Sequence, residues 1–147
     1  MTPTLYAMAG PALVLGISLF GSSLGCAIGF SAAQGVMART DEGHAKYISL
    51  AVLPSSQGLF GSILMVLMRA AIVAGTLTPL SGIFIGLSTG LALFGSSVFQ
   101  GKVVAAAIQS IAKQPSLFGK SFVGIVVIES FSLFAFAFSL MLLRLNI

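Results

Sequence analysis

The sequence has very little charge. Only 7% of its 147 residues are Asp, Glu, Lys or Arg, compared with about 25% in an ordinary soluble domain. Together with a mean hydropathy of +1.10, this excludes an ordinary soluble protein. Stretches with no charge, or with one, can each hold a membrane span of about 20 residues; they cover residues 1–38, 47–68, 70–101 and 121–143. The composition therefore indicates an integral, multi-pass membrane protein surrounded by lipid.

Cysteine is almost absent too, because Cys26 is the only one. An intrachain disulfide and a paired-thiol metal site are therefore both excluded. The formal charge of +4 comes from basic residues that mostly flank the apolar runs, so we expect no nucleic-acid partner. The first run lacks a basic amino-terminal region and its small residues continue past any cleavage point, so we expect it to stay as a helix.

The apolar runs predict helices rather than strands. Strands of a membrane barrel alternate in polarity, whereas these runs are apolar on every face. Polar breaks at residues 38–46 and 112–120 and a neutral link between them divide the chain into two hairpins. We therefore predict an all-α fold of four transmembrane helices, with a first hairpin at 1–74, a link at 75–81 and a second hairpin at 82–147.

Basic residues border both hairpin loops; they are Arg39, Lys46, Lys113 and Lys120. By the positive-inside rule the two loops face the cytoplasm. The termini and the link then lie on the outer side.

The two hairpins are copies of one another. At an offset of 74 residues, "LFGSS" at Leu19–Ser23 aligns with "LFGSS" at Leu93–Ser97, and Arg39 and Lys46 align with Lys113 and Lys120 without a gap. Glycines recur in the first helix of each copy, which predicts close helix packing in an inner layer. The acid Glu129 falls opposite Ser55, so only the second copy carries it.

Polar residues on three helices share one depth in the membrane. Counting from the cytoplasmic lysines at ~1.5 Å per residue, Glu129 lies about 13.5 Å deep, Ser56 and Gln57 about 15 to 16 Å, and Gln100 about 20 Å. An acid at this depth costs at least about 2.5 to 3.5 kcal/mol. We therefore expect Glu129 to be protonated, paired, or bound to a cation.

Pro54 adds a further set of ligands to this level. Proline lacks a backbone N–H, so carbonyls near Leu53 become available. Carbonyl, hydroxyl, amide and carboxylate oxygens then form a shell suited to a hard monovalent cation; the candidate ligands are Leu53, Ser56, Gln57, Gln100 and Glu129. Histidine and thiolate ligands are missing from this set, which argues against zinc or copper.

Other interpretations of these residues remain open. Glu129 could form a structural ion pair with Lys102, the one base in the middle of a helix, and the two glutamines could hold helices together. A small four-helix cation or multidrug antiporter, or a purely structural membrane scaffold, would also fit four helices. No nucleophile and base stand together in the sequence, so we predict no catalytic site.

The chain resembles the proteolipid subunit of V-type (V/A-type) rotary ATPases in its duplicated four-helix form, subunit K in prokaryotes. The segments "LPSSQGLFG", "FQGKVVAAAIQSIAKQPSLFGK" and "VVIES" carry the resemblance. It implies a non-catalytic rotor subunit of a V-type ATPase or ATP synthase, which translocates H+ or Na+ and has no other cofactor. Glu129 would be the essential carboxylate, with Leu53, Ser56, Gln57 and Gln100 as the ligands if the ion is Na+.

The resemblance also implies partners and a location. Identical subunits would form a ring, a membrane stator subunit would supply a basic residue, and a central-stalk subunit would contact the cytoplasmic loops. The location would be a prokaryotic cell membrane. Sodium-type members carry a tyrosine where this sequence has Phe60, so H+ and Na+ both remain as the transported ion.

Overall fold

Four membrane-length helical spans account for nearly all of the computed structural model, which describes residues 6–144. The helices are α1 (Ala9–Met37), α2 (His44–Ala51), α3 (Ser56–Val73), α4 (Pro79–Lys113) and α5 (Phe118–Arg144). Short 3-10 turns at Leu53–Ser55 and Pro115–Leu117 precede α3 and α5. The predicted all-α fold with four spans is confirmed, and the described residues contain no strand.

The second hairpin begins earlier than the predicted link allowed. Thr78 caps α4, because its hydroxyl oxygen accepts the N–H of Ser81 at 3.2 Å, and Pro79 occupies the first turn, where no donor is needed. Residues 79–81, assigned from the sequence to the link, are therefore helical. Gly75 turns the chain between the hairpins with a φ of +74°, a conformation that glycine adopts without strain.

Helices α1 and α4 lie closest together. A Cβ atom added to Gly25 would strike the backbone carbonyl of Ser97, and one added to Gly86 would strike the carbonyl of Gly10. Such contacts are possible only where both helices present small residues, and dispersion between the closely packed backbones then stabilises the pair in lipid. The glycines of the two repeats thus meet in one interface, as their spacing indicated.

Helices α3 and α5 pack outside this pair through small polar contacts. The N–H of Gly58 donates to Ser22 Oγ at 2.8 Å, linking α3 to α1. Ser96 Oγ donates to the carbonyl of Ile128 at 3.1 Å, linking α4 to α5. Each hydroxyl group thus satisfies a partner that lipid could not hydrogen-bond.

Two apolar clusters lie toward opposite ends of the bundle. The cluster nearer the loops that follow α1 and α4 includes Leu50, Val104, Ile108, Ile111 and Ile125. The other includes Val14, Leu64, Met68, Leu77 and Ile85. The polar residues of α3, α4 and α5 fall between them along each helix, so a polar layer is enclosed by apolar packing on both sides.

Candidate ion-binding site

The second span is broken at Pro54, and this break forms one wall of the site. Because Pro54 has no N–H, α2 ends at Ala51 and a 3-10 turn separates it from α3. Side-chain hydroxyls satisfy the turn: Ser97 Oγ donates to the carbonyl of Pro54 at 2.8 Å, and Ser56 Oγ donates to that of Leu53 at 3.0 Å. The break is therefore anchored to α4 through Ser97.

The carboxylate of Glu129 is held by amides from two other helices. Its Oε2 atom accepts a hydrogen bond from Gln100 Nε2 at 2.6 Å and another from Gln57 Nε2 at 3.0 Å. Both glutamines are fully buried, whereas Glu129 is half-buried. Two buried amide groups from α3 and α4 therefore fix the position of this carboxylate oxygen.

The glutamines also fix one another. Gln57 Nε2 lies 3.1 Å from Gln100 Oε1, while Gln100 Nε2 lies 3.4 Å from the carbonyl of Ile125. Since an amide has two donor hydrogens, Gln100 uses one on the carboxylate and one on the α5 backbone. The amide planes, and with them the two amide oxygens, are therefore restrained.

A group of oxygens surrounds the broken turn. Ser56 Oγ lies 3.0 Å from the Leu53 carbonyl oxygen and 3.2 Å from Gln57 Oε1. Gln57 reaches Glu129 directly, so the five residues expected to form the shell belong to one hydrogen-bonded group. Oxygen atoms of these types are the ligands that hard cations prefer.

Two polar residues of this layer were missed from the sequence. Ser132 is fully buried, lies 3.4 Å from Gln57 Nε2 through its Oγ atom, and donates to the Glu129 carbonyl at 2.6 Å. Ser97 anchors the broken turn. Ser132 follows Glu129 by three positions and Ser97 precedes Gln100 by three, the spacing that puts side chains on one helix face, so same-face spacing could have found both.

Lys102 does not take part in this group. It lies two positions from Gln100, about 200° around α4, and its side chain is exposed with Nζ 5.3 Å from the centroid of the Phe99 ring. The hydrogen-bond donors to the Glu129 carboxylate are amides. The alternative of a structural Lys102–Glu129 pair is thus not what the structure contains.

Phe60 lies one turn beyond Gln57 and stacks on Phe136, with the ring centroids 5.4 Å apart. The two rings form an apolar wall on the side of the polar layer that faces away from the loops after α1 and α4. Phe60 brings no hydroxyl group, and Ser132 is the hydroxyl that α5 contributes there.

The corresponding position in the first repeat has no acid. Ser55 and Cys26, the repeat counterparts of Glu129 and Gln100, border a shallow groove between α1 and α3. The groove is lined otherwise by small and apolar side chains; they are Leu19, Ser22, Ser23, Gly58, Leu59 and Ser62. The polar layer is thus built once in a chain whose backbone is duplicated.

Two similar membrane hairpins, with one amide-held acid at mid-depth in the second, define a proteolipid of the kind found in rotary ATPases. A family model for the ATP synthase C subunit matches the chain twice, at residues 9–68 and 83–142, and both ends of the two matches differ by the 74 positions of the repeat. The chain belongs to the ATP synthase C subunit family, in a duplicated form.

Individual relatives agree with the family match. A-type ATP synthase subunit K of Methanocaldococcus jannaschii is 30% identical over 141 residues, which are 96% of this chain but 63% of that protein, so the chain spans less than two thirds of it. V-type sodium ATPase subunit K of Enterococcus hirae is 30% identical over 92% of this chain and 86% of its own length. The ATP synthase C subunit of Syntrophobacter fumaroxidans is 34% identical over 70 residues, 45% of this chain and 78% of that protein.

These matches confirm three predictions made from the sequence: the family, the duplicated all-α membrane architecture, and a proteolipid subunit rather than a catalytic one. The length of the Syntrophobacter match, about one hairpin, agrees with an origin of this chain by duplication. The chain is an integral membrane protein.

Proposed function

We propose that this chain is a membrane rotor subunit of a V-type rotary ATPase or ATP synthase, and that it translocates H+ or Na+ by reversible binding at Glu129. The observation that carries this proposal is the carboxylate held by two buried amides from two other helices, without a basic partner in its hydrogen-bonded group. Because its partners are neutral amides, the negative charge of this carboxylate can be balanced by an exchangeable cation. The bacterial and archaeal relatives support a prokaryotic cell membrane as its location.

In this proposal identical subunits form a ring around which the cation travels. Glu129 loads a cation from one half-channel of a stator subunit, carries it through the lipid while neutralised, and releases it into a second half-channel. A basic residue of the stator favours release by replacing the cation as the partner of the carboxylate. A central-stalk subunit on the cytoplasmic loops connects the ring to the nucleotide chemistry.

Different observations favour each cation. Na+ is favoured by the oxygens around the broken turn, where a carbonyl, a hydroxyl, two amides and a carboxylate belong to one group, and by the likeness to a subunit of a sodium ATPase. H+ is favoured by Phe60, which leaves the carboxylate without the phenol of sodium-type members. A proton needs only the carboxylate, whereas Na+ needs most of the surrounding oxygens.

Carbodiimide labelling of the purified protein tests the proposal. These reagents react with a protonated carboxyl group in an apolar setting, so we expect selective modification of Glu129 over the loop acids Asp41 and Glu42. Slowing by added Na+ at constant pH identifies a sodium rotor, and slowing only by raised pH identifies a proton rotor. Protection by organic cations would support an antiporter instead, and a failure to label Glu129 selectively would contradict an exchangeable ion site.

In a sodium rotor, replacing Gln100 with leucine should weaken Na+ binding. The variant loses Gln100 Oε1, an oxygen of the candidate shell. A polar contact to a charged group contributes about 1.5–3 kcal/mol, so we expect roughly 10- to 100-fold more Na+ to be needed for half-protection from carbodiimide at constant pH. Gln109→Leu, an exposed change on the same helix, is the matched control and should leave protection unchanged.

A further inference from the structure

Helices α1 and α4 meet through different faces of the duplicated sequence. On α1 the contact uses Gly10, Gly21 and Gly25, which we name the A face. On α4 it uses a set that we name the B face; its members are Gly82, Gly86, Phe94, Ser97 and Gly101. The contact within one chain therefore joins an A face of the first repeat to a B face of the second.

Each of these faces has a repeat counterpart that is exposed, although Phe20 also contacts Phe94 of the same chain, with ring centroids 5.7 Å apart. Subtracting the offset of 74 puts the second B face on α1; it consists of Met8, Ala12, Phe20, Ser23 and Ala27. All five of these residues are exposed. The second A face lies on α4 and consists of Phe84, Gly95 and Phe99. The two phenylalanines of this A face are exposed by 65% and 59%, and a Cβ atom at Gly95 would meet nothing within 4 Å.

The chain thus exposes an A face on α4 and a B face on α1. The A face of one copy can pack on the B face of the next, and the same contact can then repeat around an assembly. Such a contact is heterologous, since it joins different surfaces of identical chains, and it closes into a ring when the rotation permits. The contact between α1 and α4 inside the chain gives the register. Because Gly21 packs on Phe94, Gly95 should face Phe20 of the next copy; because Gly25 packs on Ser97, Phe99 should face Ser23.

The unused A face borders an apolar groove of about 550 Å³ between α4 and α5. Its walls include Leu91, Gly95, Ser96, Phe99, Ile128 and Phe131. The groove is the repeat counterpart of the surface at Gly21 and Gly25 that α4 covers inside the chain. Since Phe84 and Phe99 stand where the first repeat has Gly10 and Gly25, the two helices should be farther apart between copies than within one copy.

Lys102 lines the same groove and brings a positive charge to this surface. The opposing face of α1 has suitable acceptors, because the exposed hydroxyls of Ser23 and Ser31 donate their own hydrogens to carbonyls of Phe20 and Ala27. The lone pairs of these hydroxyl oxygens can accept hydrogen bonds from an ammonium group. Helix α1 of a second copy would therefore offer hydrogen-bond acceptors to this charge.

We propose that the groove around Gly95 and Phe99 is the docking surface for α1 of a second copy of this chain, in the register that places Phe20 against Gly95 and Ser23 against Phe99. The proposal rests on the ring of the proposed function and assigns the contact between its copies to named residues. Lys102 then lies between adjacent copies rather than in the ion-binding site.

Disulfide cross-linking of the full chain in its native membrane tests this register. In a Cys26→Ser background, Phe20→Cys with Gly95→Cys, and separately Ser23→Cys with Phe99→Cys, should form a ladder of linked copies on oxidation, as seen on a denaturing gel. Phe20→Cys with Ser88→Cys is the register control, since Ser88 lies seven residues and about 10.5 Å along α4 from Gly95. That pair, and each single cysteine, should remain monomeric.

The outcomes separate this proposal from the proposed function. If the Cys26→Ser parent assembles into a ring and Glu129 is labelled by carbodiimide, but neither matched pair cross-links, the register is wrong and the rotor function stands. If the parent neither oligomerises nor labels, the function itself fails. Dimers formed by Gly95→Cys alone would show like faces in contact and would overturn the heterologous contact. Should the Gly95 variant misfold, the Ser23 and Phe99 pair decides.

Discussion

Glu129→Gln will abolish ion translocation while leaving the four-helix fold intact. Glutamine has nearly the same shape and its amide oxygen can still accept hydrogen bonds from Gln57 and Gln100, so the polar layer keeps its packing. It cannot ionise, however, and so cannot exchange a proton or balance the charge of Na+. We expect transport to fall by roughly 100-fold or more, because no exchangeable charge remains at this position.

The measurement is ion uptake by vesicles containing the assembled ATPase, with rotor abundance checked on the same membranes. Glu42→Gln removes an acid from the exposed loop between α1 and α2 and is the matched control; it should transport normally. Intact transport by the Glu129 variant would contradict the proposed function, because no other acid lies in the polar layer of the described residues.

Gly25→Val should destabilise the protein far more than Gly35→Val. Both glycines are in α1, so the two changes alter helix propensity alike. A Cβ atom at Gly25 would strike the carbonyl of Ser97, whereas one at Gly35 would meet nothing within 4 Å. Overpacking of this kind costs typically 1–3 kcal/mol and more when backbone is in the way, so we expect a large loss of folded protein from the first variant.

Thermal aggregation of the detergent-purified protein measures this difference. The Gly25 variant should aggregate at a clearly lower temperature and yield less protein, and the Gly35 variant should match the parent. Equal thermal stability of both variants would mean that α1 and α4 are not in the close contact described above.

The grouping of the candidate site residues could be predicted from the sequence because lipid makes depth a strong constraint. Glu129, Gln57 and Gln100 were brought to one level by counting residues from flanking lysines, and the structure joins them by direct hydrogen bonds. Ser132 and Ser97 escaped because serine is common in membrane helices, where it bonds its own backbone. Only their spacing from Glu129 and Gln100 distinguishes them.

The duplication was also evident from the sequence. The way in which the two hairpins of one chain pack on each other was not. A repeat of 74 positions says that the two hairpins are alike, but it does not say that an A face of α1 packs on a B face of α4. In that contact Gly21 lies against the backbone and Cβ atom of Phe94, a pairing of a glycine with a large residue that the repeat by itself does not indicate. The start of α4 differed from prediction for a local reason, since the Thr78 cap and Pro79 begin the helix inside the expected link.

Because Ser55 stands where the second repeat has Glu129, the first hairpin carries no cation, and this sets the number of cations that the proposed rotor carries per revolution. With one acid for four spans, a ring of these chains moves one cation per chain in each revolution. A ring with the same number of hairpins, each carrying an acid, would move twice as many. Moving a unit charge across 100 mV takes about 2.3 kcal/mol. If the free energy from ATP is shared among half as many cations, each cation can be driven against roughly twice the voltage. A ring with one acid for every four spans is therefore suited to building steep ion gradients.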